Sequence, residues 1–230
     1  MNLRLQQKTE RRNRILDAAR EIIASTGFET LTMRELARAA RVTVPTIYNL
    51  IGSKDELLRA AVEQQTEGFI AGIDSSPRQT PASRILSVVN VCVDELLRLP
   101  DYYQSLLRLL LTSQTGDSLR NSVTDSLSQQ FERALLDMAE AGELADWADP
   151  RALADRLGSH MRITAIEWAA GELDAHGLRS DALYGTSLML LGVSEGESAL
   201  ELEACARQSQ RCSEPQALAP ARSKPANEAS

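Results

Sequence analysis

With 230 residues the chain can bury a sizeable core as one large domain or two small ones, so no cofactor is needed to hold it folded. A composition of 43% hydrophobic and 25% charged residues, with 12 Gly, 8 Pro and only 4% aromatics, excludes a low-complexity or fibrous chain and predicts a core of Leu, Ile, Val and Ala. The net charge of -7 argues against an evenly spread nucleic-acid-binding surface, but residues 1–60 hold 11 Lys+Arg against 7 Asp+Glu while the remainder holds 14 against 25. A basic segment on an acidic body fits a DNA-binding head, and also fits ordinary fluctuation of surface charge.

The three cysteines, Cys92, Cys205 and Cys212, have neither metal-ligand spacing nor an even disulfide set, which suits a reducing interior. No metal or cofactor is expected. The amino terminus is polar and lacks an apolar run before a cleavage site, so a signal peptide is not expected. Apolar runs such as Leu188 to Leu191 are far too short to span a bilayer, so no membrane partner is expected either.

In chain order, helical spacing dominates. Ile15, Ala18, Ala19, Ile22 and Ile23 repeat at i, i+3, i+4, i+7 and predict a helix over 11–26, with Gly27 as its left-handed stop. Thr32 with Glu35 reads as a capping box opening a short helix that turns Leu36, Ala37 and Ala40 inward. Arg41 and Val42 leave room for a brief turn before Thr43, a second cap, and Pro45 then falls in a first turn, where its missing N–H costs nothing. Ser53 and Glu56 form a third box, and Asp55 and Glu56 suit the positive end of a helix dipole, opening a longer helix over 54–73.

The remaining spacing predicts helices over 82–99, 101–113, 117–142, 150–173 and 180–207, with breaks at Pro100, Gly116, Trp147 to Asp149 and His176-Gly177. From Ser209 onward the chain is rich in Ser, Ala, Pro and Gln and reads as a disordered tail. The fold class expected is all-α: a three-helix helix-turn-helix head over 1–55, a helical ligand-binding and dimerisation body over 56–208, and a tail over 209–230.

Two short helices joined by a tight turn and braced by a third are the parts of a helix-turn-helix, whose second helix enters the major groove. Over Arg14 to Leu58, "RILDAAREIIASTGFETLTMRELARAARVTVPTIYNLIGSKDELL" resembles the TetR family of bacterial transcription regulators. The agreement runs in register through Ala18-Ala19, Gly27-Phe28, Thr32, Leu36-Ala37, Val42, Thr46-Ile47-Tyr48, Ser53-Lys54 and Leu57. Weaker similarity continues in "ALADRLGSHMRITAIEWAAGEL" and "ALYGTSLMLLGV".

The resemblance implies a homodimer on double-stranded, palindromic DNA, a repressor released by a small-molecule effector, and a bacterial, cytoplasmic location. It implies phosphate contacts from Thr32, Thr46, Tyr48 and Lys54 and base-edge contacts from Arg34, Thr43, Val44 and Pro45, with Asn49 also on the DNA side. Leu50 departs from the family pattern by losing a polar backbone contact, and Val44 offers only apolar contact, for example to a thymine methyl. Read singly, Tyr48 also fits a core tyrosine with its hydroxyl at the surface, Lys54 a solvated lysine, and the threonines simple caps.

In the body, the helices over 150–173 and 180–193 are apolar on more than one face, which requires a partner on each. Leu157, Met161, Trp168, Leu183, Leu188 and Leu191 are candidates for a two-fold four-helix interface, with burial inside one chain as the alternative. Tyr102, Tyr103, His160, Arg162, Glu167 and Trp168 are candidate polar and aromatic groups of an apolar effector cavity. No nucleophile, paired-carboxylate or phosphate-loop motif is present and only His160 and His176 supply imidazole, so an enzyme is not expected and no catalytic residue is assigned. A helical protein-interaction module, or a small-molecule-binding protein without DNA activity, is the alternative.

Overall fold

A computed structural model describes residues 3–74, 80–112 and 114–212, with side chains described for 6–64, 80–109 and 125–210. Ten helices run through the described residues: α1 (Leu3–Thr26), α2 (Met33–Ala39), α3 (Val44–Leu50), α4 (Lys54–Asp74), α5 (Pro81–Arg98), α6 (Pro100–Thr112), α7 (Gln114–Glu140), α8 (Pro150–Ala170), α9 (Ala175–Leu191) and α10 (Gly196–Cys212). The fold is all-α, as the periodicity predicts; among the described residues the single β-bridge joins Leu144 to Ser194.

The buried stripe of α1 follows the expected spacing, with Ile15, Ala18, Ala19, Ile22 and Ile23 all inside together with Leu16. It braces α2 and α3, whose inward residues are Leu36, Ala37 and Ile47. α1 also packs on α4 and α6, and α4 continues onto α5 and α7, so two routes of contact lead from the head to the body. In the body, α7, α8, α9 and α10 pack in series.

The break expected at Gly116 falls inside α7, and three further expectations are corrected by the fold. The helix expected over 180–207 is two helices, because residues 193–195 leave the helical path to pair with the α7–α8 connection. The Ala145 amide donates to the Val193 carbonyl at 2.8 Å and the Glu195 amide to the Glu143 carbonyl at 2.8 Å. The break expected at His176-Gly177 falls earlier: α8 ends at Gly171, with φ +84°, and the Asp174 carboxylate caps α9 through the Gly177 amide at 2.7 Å. The tail expected from Ser209 does not start there, since α10 runs to Cys212 and Ser209 is buried. The remainder of the expected tail, 213–230, and the side chain of Cys212 lie outside the described residues.

Candidate nucleic-acid interface and body surfaces

Each short element of the head begins with a hydroxyl cap. The Thr32 hydroxyl accepts from the Glu35 amide at 3.2 Å and opens α2. Thr43 opens α3, its hydroxyl accepting from the Thr46 amide at 3.4 Å and lying 2.8 Å from the Thr46 hydroxyl. At the start of α4 the capping box is complete: the Ser53 hydroxyl accepts from the Glu56 amide at 3.3 Å, and the Ser53 amide donates to the Glu56 carboxylate at 2.7 Å. That backbone bond, followed by the Ser53 side-chain bond, holds the Glu56 carboxyl below its ordinary 4.5. Gly52 makes the box possible, because with φ +111° a Cβ there would meet the Glu56 carboxylate at 2.1 Å.

α3 turns Ile47 wholly inward and leaves Thr43, Pro45, Tyr48 and Asn49 exposed, with Tyr48 at 55% exposure. Tyr48 is therefore a surface residue and not the core tyrosine its type also allows. Thr46 is half-buried. Val44 and Leu50 are half-buried and pack against the core, so Val44 presents only part of its side chain outward. On α2, Thr32 and Arg34 are exposed.

Lys54 is not a free lysine. Its Nζ donates to the Glu29 carbonyl at 3.0 Å and sits 4.7 Å from the centre of the Phe28 ring, tying the start of α4 to the α1–α2 turn. An ammonium has three donors, so this bond leaves two for an anion.

The turn between α2 and α3 contains a feature that the sequence reading missed. The Arg41 amide donates to the Arg38 carbonyl at 3.3 Å and the Val42 amide to the Ala37 carbonyl at 3.0 Å, the paired bonds of a Schellman motif. Arg41 occupies its left-handed position with φ +54°, where glycine is usual. A side chain there costs about 1–2 kcal/mol. A cation near the end of α2 recovers about 0.3–1 kcal/mol through the helix dipole. The signal that could have found it is a two-residue turn between caps with no glycine or asparagine in it.

In the body the structure redistributes the candidate residues. Tyr102 and Tyr103 are both buried, edge to face at 5.1 Å between ring centres. The Tyr103 hydroxyl donates to Glu95 at 2.5 Å, and Arg98 reaches the same carboxylate at 2.6 and 2.9 Å. Burial alone would raise the Glu95 carboxyl, but the bonds from Arg98 and Tyr103 outweigh it and the net shift is downward. Burial pushes the Tyr102 hydroxyl up to about 12, and burial with the Glu95 bond raises Tyr103 further. Among the described residues the buried Tyr102 hydroxyl has no hydrogen-bond partner. Burial likewise raises the Cys92 thiol to about 12, which leaves it without thiolate character at neutral pH.

His160 serves the packing of α8 on α9. Its Nε2 lies 3.2 Å from the Asp181 carbonyl, and its ring covers Gly185 so closely that a Cβ there would fall 2.3 Å from it. A cavity of about 580 Å³ lies between α5, α9 and α10, bordered among others by Asn90, Arg179, Leu183, Glu201 and Cys205. None of Tyr102, Tyr103, His160, Arg162, Glu167 and Trp168 lines it. Arg162 and Glu167 are half-buried on α8.

The expected dimer residues need correction. Leu157, Met161 and Trp168 are buried within a single chain and have no surface to offer a partner. Leu183 borders the cavity and Leu191 packs on the chain's own core, both half-buried. Of the six, only Leu188 is exposed, at 48%, and it is joined by Ile163 at 48% and Met189 at 43%. An apolar helical pattern cannot rank the faces of a helix buried on several sides, which is why those two were missed.

Residues 15–61 match the family model described as "Bacterial regulatory proteins, tetR family". The chain is 27% identical over 129 residues to the HTH-type transcriptional repressor KstR of Rhodococcus jostii (strain RHA1), covering 56% of this chain and 61% of that protein. It is 31% identical over 77 residues to the HTH-type transcriptional activator FasR of Mycolicibacterium smegmatis, covering 34% and 35% respectively. The chain thus spans less than two thirds of the length of these curated relatives. Among solved structures, that of SmeT, the repressor of the Stenotrophomonas maltophilia multidrug efflux pump SmeDEF, superposes with a TM-score of 0.67 at 22% identity, over 81% of this chain and 92% of that one.

Proposed function

We propose, from the match of its head to the family model of tetR-type bacterial regulatory proteins, that the chain is a sequence-specific DNA-binding transcriptional regulator of the TetR family. It acts as a homodimeric repressor that a small-molecule effector releases from its operator. The observation that carries the reading is α3 itself: a two-turn helix capped at Thr43, anchored by Ile47, that holds Pro45, Tyr48 and Asn49 outward on one exposed face. A helix so displayed, with hydroxyl caps at the starts of its neighbours, has the shape and chemistry to enter a major groove while the caps meet phosphates.

In this reading residues 1–55 form the head, with Thr32, Arg34, Thr43, Pro45, Thr46, Tyr48, Asn49 and Lys54 on the DNA and Val44 contributing only its outward part. The body from residue 56 through α10 holds the partner and the effector. The exposed apolar residues Ile163, Leu188 and Met189 support α8 and α9 as the two-fold face, which would place two heads on a palindromic operator. The contacts of α1 with α6, and of α4 with α5 and α7, give an effector a physical route to the head. Among the described residues no helix is long and apolar enough to cross a membrane, and a DNA-bound regulator works where the chromosome is, in the bacterial cytoplasm.

The test is selection of bound fragments from genomic DNA, followed by titration of an enriched fragment against salt. Enrichment of a two-fold-symmetric site with steeply salt-dependent affinity is expected. Absence of binding to any fragment at low salt rules the reading out. A reporter fused to the enriched site then gives the sign of regulation.

A further inference from the structure

The head carries cationic groups that the reading above leaves unused. Arg38 and Arg41 are exposed, as is Arg34, and among the described residues none of the three forms a salt bridge with a carboxylate. Arg34 and Arg38 lie one turn apart on α2, and Arg41 follows in the turn that leads into α3. Of these, Arg41 is distinguished by its backbone. It is the one non-glycine residue with positive φ among the described residues, and it stands two residues before the Thr43 cap of α3.

Glycine would satisfy the same Schellman bonds without the side-chain penalty, so the fold of the turn does not call for arginine. What arginine adds is a guanidinium carried on a held backbone at the leading end of the exposed helix. The backbone there is pinned on both sides, by the Arg38 and Ala37 carbonyls behind and the Thr43–Thr46 cap ahead. A guanidinium offers a planar fork of donors matched to phosphate oxygens, and a residue held in an uncommon backbone conformation points to a function at that position.

We propose that Arg41 is a DNA-backbone contact, gripping a phosphate at the entry of α3 into the groove. The proposal rests on the regulator reading and adds to it a contact that orients α3 without reading bases. Arg38, one turn back on the exposed side of α2, is not needed for it.

The experiment compares wild type, Arg41→Gly, Arg41→Asn and Arg41→Lys on one enriched genomic fragment, by fluorescence anisotropy over about 50–200 mM salt, alongside thermal melting of each protein. Gly and Asn both suit the left-handed conformation and both remove the charge. For these two variants we expect melting temperatures no lower than wild type, weaker binding, and a log–log salt slope shallower by about one unit. Across that salt range the wild-type advantage then shrinks roughly 3.5-fold. Arg41→Lys restores the slope. Should Arg41→Gly loosen the head and melt early, Arg41→Asn carries the test alone. A charge-free variant that melts like wild type and keeps its affinity and slope overturns the proposal. If the wild type itself binds no DNA, the regulator reading falls and this contact with it, an outcome distinct from an unaltered variant slope.

Discussion

Replacing Lys54 with alanine separates the bracing contact that the structure shows from the phosphate contact proposed for the same side chain. The bond from Nζ to the Glu29 carbonyl and the position over Phe28 hold the start of α4 to the α1–α2 turn. A solvent-exposed hydrogen bond from a charged donor contributes about 1 kcal/mol, and an exposed cation–π contact about 0.5–1 kcal/mol. Releasing the long side chain returns about 1 kcal/mol of rotamer entropy. The net loss is about 1 kcal/mol, since the Glu29 carbonyl stays in reach of water. For a chain of this size that lowers the melting temperature by about 2–4 °C. If Lys54 also neutralises a phosphate, the salt slope of operator binding becomes shallower by about one unit at the same time. Circular-dichroism melts read the first effect and anisotropy titrations at several salt concentrations the second. A lowered melting temperature with an unchanged slope confines Lys54 to bracing the turn. Melting temperature and slope both unchanged would refute the assignment of either role.

Leu188→Glu places a charge in the exposed apolar patch of α8 and α9. Sedimentation should show a monomer, and operator affinity should fall on the order of a hundredfold as the second head loses its tether; a dimer of normal affinity would locate the interface elsewhere. Gly185→Ala forces the His160 ring off α9 and should cost about 1–3 kcal/mol in a denaturant melt. The cost should shrink in a His160→Ala background, and equal costs in both backgrounds would dissociate the glycine from the imidazole. Glu56 has its pKa lowered by folding, so its stabilisation is present above the ordinary 4.5 and is lost as the pH falls through the lowered folded value. Glu56→Gln should therefore melt earlier than wild type near neutral pH and converge with it in acid, whereas parallel melting curves down to pH about 3 would contradict that linkage.

The local grammar of the head was legible in the sequence because each of its signals acts within four residues. Thr32, Thr43 and Ser53 cap helices through bonds to amides three residues ahead, and the i, i+3, i+4 stripe of α1 is buried as its spacing predicts. Chemistry that reaches only to the next turn is written in the next turn. The opposite holds for Lys54, whose partner lies 25 residues away, and for Val193 to Glu195, which leave the helix to meet Glu143 and Ala145 across the fold. Nothing in their own neighbourhood announces those partners.

The body surfaces depended on tertiary structure for the same reason. Leu157, Met161, Trp168 and Leu188 are alike as apolar residues on helices with several apolar faces, and only packing leaves Leu188 uncovered while closing the other three. His160 looked like a polar group for a cavity until Gly185, 25 positions on, proved to be the surface it covers. Arg41 lies between these cases: its turn is local, yet its left-handed backbone is imposed by α2 ending and α3 beginning around it. The sequence by itself determined where α2, α3 and α4 start, which stripe each helix of the head buries, and the likeness of the head to the TetR family. Tertiary structure decided which apolar face remains free and which charged groups are already held, because burial and pairing between distant residues are properties of the packed chain.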